Sequence, residues 1–292
     1  MLRFLNLTLG GIGTGAVYAA VALALVLIWR STRIVNFAQG GMMMISTFVA
    51  WSVIGRTGSF WLGLAAALLA GLILGAVVER LVIRPVESAP ALNAVIVTLG
   101  LLVFLQALAG IIWGGEPRSF PPAFGIVGFK IGDTRLLFSP SDLFAVLAVL
   151  GLMILLGLLF QRTSIGLQMR AAAFAPEISR VLGVRVGRTL TLGWALAALV
   201  GALAGVLVAP ASFVSPNAFD EILVFGFTAA VLGGLDSPPG AVVGGLILGL
   251  LLSYLAGYAG SDVVTLGALA ILVAVLLIRP NGLFARPAGR RI

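Results

Sequence analysis

Eight apolar stretches, over residues 5–29, 34–54, 60–83, 91–113, 140–160, 189–209, 240–258 and 262–278, decide the solvent in which this chain can fold. Each is close to the ~20 residues that a helix needs to cross the hydrocarbon of a bilayer. A ninth, 222–234, is apolar but short, at ~20 Å against a core of ~30 Å. With 61% of 292 residues hydrophobic and 10% charged, too little polar surface is left to coat a soluble globule. The expected fold class is an all-α polytopic membrane protein with eight full transmembrane helices plus one short membrane-embedded or crossing helix. Residues 1–292 read as a single transmembrane domain. The first stretch follows only Arg3, is too long for a signal core and has no convincing cleavage site, so it is expected to persist as a helix.

Two absences narrow the chemistry. The chain has no Cys and no His, which removes thiolate nucleophiles, disulfides and the commonest metal ligands. No metal site is expected. Lys130, the only Lys, stands in no glycine-rich phosphate loop, so any use of ATP belongs to another polypeptide. The expectation is a non-catalytic chain that binds no cofactor itself, with ATP used by partner subunits.

The net charge of +8 could serve nucleic acid, but in a membrane chain it more simply reflects arginines gathered in cytoplasmic loops. With the N-terminus outside and all nine segments crossing, the inner loops hold Arg30, Arg33, Arg80, Arg84, Arg162, Arg170, Arg180, Arg185, Arg188, Arg279, Arg286, Arg290 and Arg291. The outer side holds Arg3, Arg56, Arg118, Lys130 and Arg135. This bias predicts an external N-terminus and a cytoplasmic C-terminus, and it requires 222–234 to cross. No nucleic-acid partner is expected; membrane lipid is.

Small residues four apart (Gly11 and Gly15, Gly71 and Gly75, Gly201 and Gly205, Gly240 and Gly244, Gly245 and Gly249) predict close helix packing within the bundle. The acids fall at segment ends: Glu79 with Arg80 at an inner end, and Asp142, Asp220, Glu221 and Asp262 at outer ends. A self-powered, ion-coupled transporter needs an ionisable group at mid-membrane, and none is predicted there.

The longest cytoplasmic loop, 161–188, carries five Arg, one acid and the makings of a short helix. Pro176 suits its first position, Glu177 its first turn and Gly183 its stop. Ile178, Val181 and Leu182 then share an apolar face, while Glu177 and Arg180 stay wet. So short a helix needs a surface to lie on, either its own bundle or a partner's groove.

In this loop Gly166-x-x-x-Arg170-Ala171-x-Ala173, Pro176-Glu177 and Val181-Leu182-Gly183-Val184 resemble the coupling segment of branched-chain amino-acid permeases, the membrane subunits of ATP-binding-cassette importers. The likeness extends over nearly the whole chain. Gly15-Ala16-x-Tyr18-Ala19 through Asn36-Phe37-Ala38-x-Gly40 is similar to the family's N-terminal signature. Gly233-Gly234-Leu235-x-Ser237 with Gly240 to Gly245 is similar to its late glycine motif, and Arg279-Pro280-x-Gly282-Leu283-Phe284 to its ending. The short N-terminus suits the smaller, H-type subunit.

The resemblance implies a type II importer-like permease in a bacterial inner membrane. It implies four kinds of function: pairing with a second related permease, contact with two cytoplasmic ATPases, service by an external or periplasmic solute-binding protein, and alternating access driven by ATP. It makes Arg170, Pro176, Glu177, Ile178, Arg180, Val181, Leu182 and Gly183 the ATPase-coupling residues. Branched-chain or related amino acids are the implied solutes. Urea, short amides or aromatic carboxylates are alternatives for the same machine, and a passive channel without an ATPase is the alternative from another class.

Two polar segments are candidates for the translocation path. Asn36, Gln39, Gly40 and Gly41 interrupt an apolar run, which reads either as a break lining a cavity or as a turn followed by a helix start. Gln39 stands where the family usually has His, and Gly41 where an acid is common. Thr228, Gly233 and Gly234 precede Asp236, Ser237, Pro238 and Pro239, where a tight inner turn is the default. Thr98, with Asn93 and Gln106, adds a polar series to the fourth segment, although such residues also serve to bond neighbouring helices.

Overall fold

The computed structural model describes residues 2–86, 89–131 and 134–284, with Ala91, Ile131, Thr134 and Arg135 described in their backbone alone. Arg286, Arg290 and Arg291 of the expected inner charge set lie outside the described residues. The described chain is helical: α1 (Leu2–Thr32), α2 (Gln39–Thr57), α3 (Phe60–Val78), α4 (Ala91–Trp113), α5 (Pro140–Arg162), α6 (Ser164–Phe174), α7 (Pro176–Val181), α8 (Val186–Val208), α9 (Asp220–Gly233), α10 (Pro238–Ala259) and α11 (Val264–Ile278). A two-residue antiparallel pair, β1 (Lys130–Ile131) with β2 (Thr134–Arg135), decorates the loop before α5.

Among the described residues seven helices are long and apolar enough to cross a membrane, not the eight expected. The difference is α2. Its segment was expected to start at residue 34, but the helix begins at Gln39 and spends part of its 19 residues on Gln, Ser, Thr and Arg. It is a polar-tinged helix sheltered by its neighbours.

The bundle is built around α1 and α8, whose apolar stretches are 83% and 78% buried, whereas α11 is 6% buried and turns its side chains outward. In hydrocarbon the outer helices can expose Leu and Ile at no cost, so the buried contacts fall where small residues let backbones meet. A Cβ on Gly249 of α10 would lie 2.3 Å from the Gly15 Cα of α1, and one on Gly75 of α3 would lie 2.4 Å from the Trp194 carbonyl of α8. The small-residue ridges therefore act inside one bundle, as their spacing predicts.

Contacts between helix ends sort the loops into two faces. On the amino-terminal face Leu137 N–H donates to Asn6 Oδ1 at 3.1 Å, and Arg118 bridges Val214. On the opposite, arginine-rich face Arg33 pairs with Asp236, and Leu283 N–H donates to the Leu232 carbonyl at 2.9 Å. Helix α9 joins the two faces although its 14 residues span only ~21 Å. The turns before it make up the length by dipping inward: Gln106 Nε2 donates to Asp220 Oδ1 at 2.7 Å. Gln106 lies about 10 Å along α4 from the end at Trp113, so Asp220 sits deeper than the outer end expected for it.

Candidate functional site

At the end of α1 the chain reverses through Arg33, whose φ of 57° lies in the left-handed region. Asn36 Oδ1 then accepts from Ala38 N–H at 3.0 Å, an Asx-type turn that sets the start of α2. Asn36 Nδ2 donates to Gln39 Oε1 at 3.3 Å, and Gln39 Nε2 donates to the Ala197 carbonyl of α8 at 3.2 Å. Both amides are buried, at 1% and 0% exposure. Gly201 admits this arrangement, because a Cβ there would stand 2.0 Å from Gln39 Nε2.

Asn36 to Gly41 is thus a turn followed by a helix start, and its amides bond to each other and to α8 instead of lining an open cavity. Gly40 packs on Leu223 of α9, and Gly41 on Leu102 and Leu105 of α4. The Thr98 hydroxyl donates to Val95 O at 3.0 Å and, more weakly, to Val35 O at 3.4 Å. Four path candidates, Asn36, Gln39, Gly40 and Thr98, therefore meet where α2, α4, α8 and α9 converge.

The other three stand apart from that polar knot. Thr228 is buried and bonds its own helix at Val224 O, 2.9 Å away, while its neighbour Phe227 meets the Phe37 ring at 6.2 Å. Gly233 and Gly234 lie at the arginine-rich face, where Phe284 N–H donates to Gly233 O at 3.2 Å and Gly282 presses on Gly234. These glycines cap α9 and seat the segment that follows α11. Asn93 is exposed, and Gln106 serves Asp220, so the polar residues of α4 do not form one lining.

The segment 161–188 keeps its expected local form. Thr163 caps α6 by accepting from Gly166 N–H at 3.1 Å. Pro176 opens α7 and Gly183, at φ 82°, ends it. Ser179 is the buried residue of α7. Ile178, Val181 and Leu182 are 63%, 87% and 77% exposed, with Phe174 beside them at 93%. Their own bundle leaves this apolar face bare. Glu177 and Arg180 form an exposed ion pair at 2.9 Å, and Arg170 is exposed at the rim of a neighbouring cleft. Beneath them Ala172 of α6 packs with Val186 and Leu190 of α8.

One group was missed from the sequence. Glu79, at the inner end of its segment with Arg80, is 1% exposed and held by Arg84. A π turn over Glu79–Ile83 continues α3, and its backbone bond from Arg84 to Glu79 spans five residues. That widened turn brings the two side chains together. Arg84 also donates to the Gly187 carbonyl at 2.8 Å, and the Thr191 hydroxyl donates to Glu79 Oε2 at 2.7 Å. The cluster ties the end of α3 to the first turns of α8, which follow directly on α7. Its only trace in the sequence is an acid and an arginine five apart at a segment end.

The sequence is similar to those of known transport permeases over most of its length. The family described as branched-chain amino acid transport system / permease component matches residues 7–279. The high-affinity branched-chain amino acid transport system permease protein LivH of Salmonella typhimurium is 29% identical, covering 100% of this chain and 98% of its own. The corresponding protein BraD of Pseudomonas aeruginosa is 26% identical over 99% and 98%. The fructose import permease protein FruF of Bifidobacterium longum is 27% identical over 80% of this chain and 66% of its own.

Proposed function

The chain belongs to the family of branched-chain amino acid transport permease components, a non-catalytic membrane subunit, and from that premise we propose that it passes branched-chain or related small amino acids through an ATP-driven importer. The observation that carries the reading is the bare apolar face of α6 and α7, formed by Phe174, Ile178, Val181 and Leu182. Unlike the exposed leucines of α3 or α5, these side chains sit on helices too short to cross a bilayer, in the loop at the arginine-rich face. A soluble partner with an apolar groove would cover them. We assign that groove to one of two cytoplasmic ATPases, which bind the ATP that this chain has no means to hold.

Motion applied at α7 has a route inward. Helix α7 leads through one turn into α8, α8 is tied to α3 by the Glu79–Arg84–Thr191 cluster, and Ala197 of α8 holds Gln39. In our reading a shift of α8 against α2 and α4 opens the path beside Asn36, Gln39, Gly40 and Thr98 alternately to either side. Thr228, Gly233 and Gly234 then act as the packing surfaces on which α9 moves. A second related permease completes the pore, and an external or periplasmic binding protein delivers the solute.

Among the described basic residues, Arg30, Arg33, Arg80, Arg84, Arg162, Arg170, Arg180, Arg185, Arg188 and Arg279 belong to the arginine-rich face. That face is therefore the cytoplasmic one, in a bacterial inner membrane, with the amino-terminal face outside. Helix α2 serves as an eighth crossing in this arrangement, shielded from lipid, and α9 as the short ninth. The test is uptake by proteoliposomes holding this chain with its permease, ATPase and binding-protein partners. Labelled leucine should accumulate when ATP is supplied and the proton gradient is collapsed; uptake by this chain alone on an imposed ion gradient would refute the reading.

A further inference from the structure

Between α4 and α5, on the amino-terminal face, the sequence from Ser119 to Phe129 holds no charged residue. A loop surrounded by water has no use for that composition, and its apolar side chains are not all folded away. Phe120 is buried, but Phe124, Ile126, Val127 and Phe129 are exposed, as is Leu137 where the loop returns to α5. A contiguous bare patch of this kind marks a surface that something covers.

Aromatic contacts fix the level at which the loop lies. Helix α3 has 19 residues, about 28 Å, which matches the thickness of the hydrocarbon. Trp61 at its start, itself exposed, therefore stands at the boundary where Trp anchors membrane helices. The Phe124 ring lies 6.3 Å from Trp61 and 5.2 Å from Phe144, and Phe144 is about 6 Å inside the start of α5. The backbone keeps to the same level: Ser141 N–H donates to Gly125 O at 3.2 Å, and Phe129 N–H donates to Phe138 O at 3.0 Å. The bare face of the loop is thus continuous with the outward faces of α3 and α5, where Leu62 and Leu147 are exposed.

Irregular backbone cannot sink into the hydrocarbon itself, because its amides need water. We propose that residues 120–129 form an interfacial anchor, lying in the headgroup–acyl boundary of the adjoining leaflet with Ile126 and Val127 against the upper acyl chains. A soluble protein that docks and leaves would bare this face to water in every cycle; lipid already covers the helices beside it. The hairpin that follows sets Lys130 in register with Arg135, and basic residues flanking an apolar insertion suit the phosphates of a headgroup layer.

The chain has no cysteine, so a single introduced one carries a nitroxide label at a known place. The test labels Val127→Cys in the full-length permease, in nanodiscs of phosphatidylcholine and phosphatidylglycerol. Power-saturation spectra then compare collisions with oxygen, which concentrates in hydrocarbon, and with a nickel chelate, which stays in water. The label at 127 should meet oxygen in preference to nickel, as one at Leu62→Cys on α3 does, at a depth of about 5–10 Å into the boundary. A label at Glu116→Cys, exposed in the same loop, should show the reverse preference. If Val127→Cys does not insert, Ile126→Cys gives the same reading. Preference for nickel would put the loop in water, and shielding from both reagents would put protein over it; either result overturns the proposal. The measurement uses this chain without partners, so it is decided whether or not the chain transports.

Discussion

Arg84 closes on Glu79 through both carboxylate oxygens, Nε to Oε1 at 3.1 Å and Nη2 to Oε2 at 2.9 Å. The Glu79 side chain is 2% exposed and that of Arg84 38%. The pair is asymmetric, and so are the consequences of breaking it. Arg84→Ala leaves a buried carboxylate with only the Thr191 hydroxyl, whereas Glu79→Ala leaves an arginine that still reaches Gly187 O, Thr191 and water. Removing one partner of a buried pair costs about 3–5 kcal/mol. Arg84→Ala should sit within that range and Glu79→Ala below it, because the exposed half of Arg84 is solvated. Thermal unfolding of the two variants in detergent orders them.

Helix contacts at glycine give a second contrast. A Cβ on Gly75 would meet the Trp194 carbonyl at 2.4 Å, while one on Gly151 meets nothing within 4 Å. Gly75→Ala should therefore force α3 off α8 and destabilise by about 1–3 kcal/mol. Gly151→Ala should be neutral or gain up to about 1 kcal/mol from helix propensity. Melting temperatures that moved together would show that α3 does not pack on α8 this closely.

Topology gives a third. A reporter fused after Arg291 should read cytoplasmic, and one fused within 116–135 should read external. The two must differ, because the structure puts the segment after α11 and the loop before α5 on opposite faces. An external signal from the C-terminal fusion would reverse the assigned orientation.

These expectations mark what the sequence could carry. The start of helix α7 was legible, and its end to within one residue, since Pro176, Glu177 and Gly183 are local signals that need no knowledge of the rest of the fold. The apolar segments were legible as helices for the same reason. Which of their faces is buried was not: helices that are apolar all round carry no period that separates a lipid face from a packed one. The start of α2 was placed five residues early because the run from Ile34 is apolar and the Asn36 turn that ends it depends on a buried amide. The partners of Gln39 and Glu79 lie 158 and 112 residues away on α8, at Ala197 and Thr191. No spacing rule reaches that far, and the π turn beside Glu79 has no distinct composition.

Charge on α7 should matter little. Arg180 pairs with Glu177 at the surface, with 56% of its side chain exposed. Exposed ion pairs contribute about 1 kcal/mol or less. Arg180→Ala should leave ATPase association within about fivefold of the parent, read by co-purification from membranes at matched expression.

Replacing Leu182 by Asp tests the central claim most directly. Leu182 is 77% exposed, so its own bundle loses nothing, and insertion and melting should be unchanged. An uncompensated charge in an apolar groove costs several kcal/mol, on the order of a thousandfold in association. The account predicts a normally inserted protein that no longer retains the ATPase and no longer takes up solute in the presence of ATP. A Leu182→Asp protein that holds its ATPase and transports at the parent rate would contradict it, and the energy of ATP would then enter this permease somewhere other than α7.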